Sequence, residues 1–288
     1  MKYVSFQTDS HTSYGVVQGD RVLDLGLLFG PRSPDLKTLI AEGLLLAAAD
    51  KAAAHKADLS LADLQLLPVI PNPGKIVCVG LNYRDHVAET KREVTEHPTV
   101  FLRVPSSQVG HGQDIVVPRE SARLDYEGEI ALIIGQGGRR IAPRDAWQHI
   151  AGYACYNEGS VRDWQTATPQ WTAGKNFWRT GGFGPWMVSA DEIAPGRQLK
   201  LVTRLNGAEM QRATSDMMIH DIPSLIAHVS TFMPLEPGDV IVTGTPGGVG
   251  ARRTPPVFMR PGDVVEVEVD AIGVLRNRVV AEGQQKLA

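Results

Sequence analysis

Residues 125–134, DYEGEIALII, open on acids and close on an unbroken apolar run. A short apolar run of this kind reads as a buried strand. Side chains two apart on a strand share a face, so Glu127 and Glu129 look into one small volume. Two carboxylates at that spacing repel each other and lose hydration, a cost that something must offset. The solvated end of a strand would offset it, and so would a bound cation. Gly128, between them, has no side chain to place on the opposite face, and a glycine inside a strand often marks the close approach of a ligand or another backbone.

The 288 residues can bury a sizeable core and suggest one large domain with a smaller one. Charged residues make up 21% and the formal net charge is −3, which argues against a broad basic surface for nucleic acid. No segment approaches the roughly 18–20 apolar residues of a membrane span, and MKYVSFQTDS at the N-terminus lacks the apolar centre of a secretory signal. Cys78 and Cys155 lie in apolar segments and read as buried thiols, not as a disulfide. A soluble, cytoplasmic protein follows, with neither nucleic acid nor membrane as partner.

Turn residues divide the chain. KYVSF and YGVVQGDRVLDL read as strands, the second folded at Gly19-Asp20, and a helical stretch runs from about residue 33 to 56. LLPVIPNPGK then places Pro68, Pro71 and Pro73 within six residues, which neither a helix nor a central strand accepts. This gives a small N-terminal domain (1–66), a Pro-rich linker (67–74) and a main domain (75–288). The main domain reads as largely β, through KIVCVG, HPTVFLRV and DIVVP, and a hairpin at Asn206-Gly207. EPGDVIVTG and RPGDVVEVEVD both enter a strand through Pro-Gly-Asp, and the second alternates so that one face is wet. SLIAHVSTFM, residues 224–233, is the clearest helix of this part. The fold class is α+β, mainly β.

Four further segments could carry chemistry. GYACYNEGSVRDWQ (152–165) offers Glu158 as a third ligand for a cation, with Arg162 and Asp163 able to pair; an ordinary surface turn would read the same. In CVGLNYRDHVAET a strand ends at Gly80 and Asn82 can cap a helix. His86 and Glu89 then fall three apart on one helical face, the arrangement of a general base oriented by a carboxylate, although surface pairs share it. In TAGKNFWRTGGFGPW, Lys175 lies among small and aromatic residues, where a cation can stabilise developing negative charge or sit idle at the surface. VTGTPGGVG (242–250) follows a strand but lacks the G-K-[ST] ending of a nucleotide loop; its amides and the Thr245 hydroxyl suit a small anion better. Trp164, Trp171 and Trp178 either line a pocket or pack a core, and residues 82–98 could close over a ligand as a lid.

Taken in order, KIVCVGLNYRDHVAE, PTVFLR, DYEGEIALIIG, GYACYNEGSVRDWQ, GKNF, TGGFGPW and TGTPGGVG resemble the fumarylacetoacetate hydrolase family, in its bacterial branch with a short N-terminal domain. The resemblance runs from about Lys75 to the C-terminal strands. It implies a mixed β-sandwich or roll, a homodimer, and one Mg2+ or Mn2+ held by Glu127, Glu129 and Glu158. Glu158 stands where the family most often has Asp, so its carboxylate must reach the same cation over one more methylene. His86 and Glu89 match the water-activating pair, Lys175 the lysine that faces the substrate's carbonyl or enolate oxygen, and Thr245 the threonine at its carboxylate end. Arg103 stands where relatives often carry Lys and is a candidate substrate contact.

The implied activity is hydrolysis of a C–C bond in an acylpyruvate-type (2,4-dioxo acid) substrate, as in aromatic catabolism. Oxaloacetate decarboxylation and isomerisation of an unsaturated 2-oxo diacid use the same site without an attacking water, and the His–Glu pair favours hydrolysis among the three. A non-catalytic metal-binding scaffold is disfavoured, because every catalytic position keeps a chemically competent residue.

Overall fold

The computed structural model describes residues 1–285; residues 286–288, which the sequence reading includes in the main domain, lie outside the described residues. The chain begins with antiparallel strands β1 (Lys2–Gln7), β2 (Thr12–Gln18) and β3 (Arg21–Asp24), the last two joined through Gly19, at φ +64°, and Asp20. Asp24 accepts from the Leu27 amide to cap α1 (Leu25–Phe29), and Asp35 accepts from Thr38 to cap α2 (Leu36–Ala41). The continuous helix expected over residues 33–56 is broken. α2 stops before Gly43, which takes φ +69°, and α3 (Leu45–Ala54) starts beyond it. Glycine enters that left-handed region without a Cβ clash, so it ends the helix where the apolar periodicity runs on.

After β4 (Leu59–Ser60) and β5 (Gln65–Leu66), the proline-rich residues 67–75 form neither helix nor strand. β6 (Ile76–Gly80) leads into α4 (Arg84–Thr90), then β7 (Thr99–Arg103), β8 (Gln108–Val109), β9 (Ile115–Val117), β10 (Leu124–Asp125) and β11 (Gly128–Ile134). Next come β12 (Ile150–Asn157), β13 (Ser160–Val161), α5 (Arg162–Thr166), α6 (Thr172–Lys175) and β14 (Gly181–Ser189). β15 (Lys200–Leu205) and β16 (Ala208–Thr214) are the hairpin at Asn206-Gly207, both residues at positive φ. α7 (Ile222–Phe232) begins two residues before the expected start because Asp221 caps it through the Ser224 amide. β17 (Val240–Val242), β18 (Val264–Val269) and β19 (Gly273–Ala281) complete the chain.

Twelve strands form one mixed sheet, ordered β4-β3-β2-β1-β14-β12-β11-β17-β6-β7, with β5 added to β1 and β8 to β14. A second sheet is ordered β16-β15-β18-β19-β9. β11 lies inside the larger sheet and is packed on both faces. Ile130, Leu132 and Ile134 meet Leu201, Val267 and Leu275 of the second sheet together with Leu225 and Val229 of α7. Ala131 and Ile133 point the other way, into a core with Leu36, Leu39 and Ile40 of α2 and Ala48 and Ala52 of α3. A strand covered on both sides needs apolar residues at successive positions, which is why IALII is continuous. The fold is therefore α+β and mainly β, as the sequence predicts. The N-terminal strands extend the large sheet through the pairing of β1 with β14. No helix of the described residues is long and apolar enough to cross a membrane.

Candidate active site

The two strands that carry the acids pair with Gly128 opposite Asn157 and Glu129 opposite Tyr156. Just past the end of that ladder the Glu158 N–H donates to the Glu127 carbonyl at 2.8 Å, and the Glu127 N–H donates to Asn157 Oδ1 at 3.0 Å. Glu127 and Glu158 thus face each other across the strand ends. A Cβ on Gly128 would lie 1.9 Å from Thr203 Oγ1, so β15 fills the side away from the acids. Gly128 therefore admits a neighbouring strand's side chain, not a ligand.

Carboxylate oxygens of Glu127, Glu129 and Glu158 lie within 4.8 Å of one another, all three residues buried. Burial and then the neighbouring Glu158 and Glu127 charges push Glu129 well above the usual carboxylate range. Burial also raises Glu127, but Arg162 and Lys175 outweigh it and hold that carboxyl well below its ordinary value. Lys175 Nζ donates to Glu127 Oε2 at 2.5 Å and to Glu158 Oε2 at 2.7 Å. Arg162 reaches Glu127 Oε1 at 2.7 Å and Asp125 Oδ2 at 2.8 Å. The Arg162–Asp163 pair expected from the sequence does not form. Buried Asp125 and Glu127 demand a cation more strongly than a half-buried neighbour, and Asp163 accepts from Ser121 Oγ at 2.7 Å instead.

The three glutamates, Lys175 and Arg162 line a cavity of about 400 Å³, together with His86 and Thr245. His86 Nδ1 lies 2.7 Å from Glu89 Oε1, and Glu89 Oε2 accepts from the Gly248 amide at 2.9 Å. Burial raises the Glu89 carboxyl, yet the His86 hydrogen bond and the Gly248 and Val249 amides outweigh it and hold it below the usual range. An ionised Glu89 accepts Nδ1–H, the tautomer in which a neutral imidazole carries its lone pair on Nε2. Asn82 does not cap α4, whose N-cap is Tyr83 with no side-chain bond. Asn82 is buried and ties its own loop to two distant backbone segments, donating to Thr243 O at 2.8 Å and His220 O at 3.0 Å and accepting from His220 N at 2.8 Å.

Of the two residues expected to touch substrate, Thr245 lines the cavity with its hydroxyl already engaged, and Arg103 lies outside the lining. The single hydroxyl proton of Thr245 goes to the Gly128 carbonyl at 3.0 Å, and Gln211 Nε2 donates to its oxygen at 2.8 Å. Gln211, which the sequence reading missed, also accepts from the Gly128 amide at 2.9 Å. Arg103 does not line the cavity. It is buried and donates to the Gly159 carbonyl at 2.9 Å and to Thr180 Oγ1 at 3.1 Å, bracing the turn that carries Glu158. Of the three tryptophans, Trp171 lines the cavity, while Trp164 and Trp178 are 41% and 43% exposed. Both cysteines are free and buried, as expected, and burial pushes the Cys155 thiol up to about 12.

The donor set is wholly carboxylate oxygen, and Glu158 Oε1 is buried without a hydrogen-bond partner. Three converging carboxyl groups with one unmet oxygen fit a hard divalent cation, whose charge would offset the repulsion that raises Glu129.

Residues 75–280 match the family described as fumarylacetoacetate (FAA) hydrolase, C-terminal. An oxaloacetate tautomerase of Bacillus subtilis is 43% identical over 225 residues, 76% of this chain and 74% of the relative. A mitochondrial oxaloacetate tautomerase of Bos taurus is 37% identical over 291 residues, 97% of this chain and 92% of the relative. Fumarylacetoacetate hydrolase from Exiguobacterium antarcticum shares the fold at a TM-score of 0.82 and 33% identity, over 98% of this chain and 100% of that one. Maleylpyruvate hydrolase from Sphingobium, in complex with manganese(II) and pyruvate, does so at 0.81 and 30%, over 98% and 99%. The chain belongs to the fumarylacetoacetate hydrolase family of enzymes.

Proposed function

We propose that this enzyme interconverts the keto and enol forms of a small 2-oxo acid of the oxaloacetate type, with Glu127, Glu129 and Glu158 holding Mg2+ or Mn2+. One observation carries the reading: three buried carboxylates converge on a cavity whose wall also holds Lys175 and the His86–Glu89 pair. The names of relatives in Bacillus subtilis and Bos taurus support the tautomerase form of it. The cation, when bound, supplies Lewis acidity toward the chelating carboxylate and 2-oxo oxygens.

The chain's own residues do the rest. Glu89 fixes the imidazole tautomer, and His86 Nε2 takes a proton from C3 of the keto form. The C3–H electron pair becomes the C2–C3 double bond, and charge moves onto the 2-oxygen, which is protonated from solvent as the enol forms. Lys175 is cationic, because Glu127 and Glu158 outweigh the effect of burial. Two of its three N–H donors are taken by those carboxylates, which leaves one for the developing oxyanion.

Hydrolysis of an acylpyruvate is the second reading. The His86–Glu89 pair can activate a water, and a cavity of about 400 Å³ exceeds the needs of a four-carbon acid. Decarboxylation needs neither base. The test follows enol absorbance of oxaloacetate in the chelated and the Mn2+-loaded enzyme, beside release of CO2. Metal-dependent tautomerisation lost in His86→Ala, with decarboxylation retained, supports the proposal; equal loss of both, or activity that ignores chelation, overturns it. Acylpyruvate cleavage faster than tautomerisation would select the second reading. Exposed Leu102 (49%) on edge strand β7 and Val104 (46%) just past its end support the homodimer as part of this proposal. A light-scattering mass of one 31.3 kDa chain would overturn that part.

A further inference from the structure

We infer that Arg123 and Arg252, on the rim of the cavity, bind the far carboxylate of the substrate and so select 2-oxo diacids over 2-oxo monoacids. The inference rests on the proposed cation site and adds to it the residues that recognise the other end of the substrate.

Five cationic side chains line the cavity against the three glutamates, in a chain whose formal net charge is −3. Two of the five are accounted for, since Lys175 and Arg162 neutralise the buried acids. The other three, Arg92, Arg123 and Arg252, are exposed and have no carboxylate partner among the described residues. Arg92 lies over the Trp171 ring at 5.4 Å, which gives its cation a partner of another kind. Among the described residues Arg123 and Arg252 have neither kind of partner.

Their backbones are held side by side. Asp125 accepts from the Gly250 amide at 2.8 Å and the Ala251 amide at 2.9 Å, and the Met259 amide donates to the Leu124 carbonyl at 2.8 Å. Asp125, two residues after Arg123, thus holds Ala251, the residue before Arg252, in one frame, and both arginines line the same pocket. A bound divalent cation would add further positive charge at the floor. A 2-oxo monoacid spends its only carboxylate there and leaves the rim unmet, whereas a diacid presents a second carboxylate to it. Guanidinium groups match carboxylates in planar, bidentate geometry, and the surplus charge would also speed the approach of a dianion.

Oxamate and N-oxalylglycine test this by calorimetric titration of the full-length, Mn2+-loaded protein. They share an oxalyl amide head, and only the second carries a distal carboxylate. The wild type should bind N-oxalylglycine about 10–100-fold more tightly, the range of one or two charge-assisted hydrogen bonds. Arg123→Gln with Arg252→Gln should lose that preference and leave oxamate affinity unchanged; Arg123→Lys with Arg252→Lys should restore part of it. A preference that survives the double glutamine variant, or a wild type without one, overturns the inference while leaving the cation site standing. Failure of oxamate itself to bind the Mn2+-loaded wild type overturns the proposed site, and the inference with it.

Discussion

Gly128→Ala probes the packing that aims the acids. A Cβ at that position would lie 1.9 Å from Thr203 Oγ1, 3.3 Å from Thr203 Cβ and 3.4 Å from Leu201 Cδ2. Contact at 1.9 Å cannot stand, so β11 and β15 must part, at about 1–3 kcal/mol for overpacking a tight core. At a urea slope of roughly 3 kcal/mol/M, the midpoint should fall by about 0.3–1 M. The clash is almost entirely with one atom, and Thr203 Oγ1 is buried without a hydrogen-bond partner. Thr203→Ala therefore removes an unsatisfied hydroxyl along with a methyl group, two effects of opposite sign and each about 1 kcal/mol. In that background the nearest remaining contact is 3.3 Å or so to Cβ, and Gly128 is not at positive φ. The alanine should then cost under about 1 kcal/mol and can even stabilise, by restricting the unfolded chain. A double-mutant cycle by urea unfolding measures the coupling. Additive losses would refute the claim that Thr203 is what Gly128 accommodates. The same cycle followed by metal-dependent thermal shift tests whether the acids on either side move with the strand.

Other outcomes follow from the site. Divalent cation at about 100 times its dissociation constant should add roughly 2.7 kcal/mol to unfolding, read as a chelator-reversible thermal shift; the same shift in Glu129→Gln would count against the carboxylate site. Glu89 is held below its unfolded value, so its ionised form stabilises the fold above the unfolded carboxylate pKa, and that stability is lost as pH falls through the lowered folded value. Glu89→Gln should accordingly flatten the acid limb of a stability–pH profile, and an unaltered acid limb would show that Glu89 contributes nothing there. Asn82→Asp should destabilise by about 1–3 kcal/mol for each carbonyl that loses its donor, whereas a helix cap would tolerate Asp. Urea midpoints decide between those two roles.

Much of this was legible before any coordinates. The strands around DYEGEIALII, the Gly19 and Asn206-Gly207 turns, and the alternating VVEVEV face depend on local rules of periodicity and turn geometry. So does the pairing of Glu127 with Glu129, which follows from a two-residue spacing, and that of His86 with Glu89, which follows from one helical turn. Glu158 and Lys175 were candidates from their own segments, the resemblance of seven ordered segments to one family implied their roles, and the structure brings all six side chains to the cavity region.

What the sequence could not settle are partnerships between residues far apart in the chain. Arg162 had Asp163 beside it but turned to Asp125 and Glu127, 37 and 35 positions away, because burial made those carboxylates the stronger electrostatic demand. Asn82 looked like a cap and became a tie among Thr243 and His220, and Arg103 looked like a substrate contact and became a brace on Gly159. The same limit hid Gln211 and the two rim arginines, whose neighbours are set by how β10, β11, β16 and the loop after β17 pack. Local spacing determined which side chains share a face. Which buried charge met which cation was decided only when tertiary packing removed the water that would otherwise have satisfied them all.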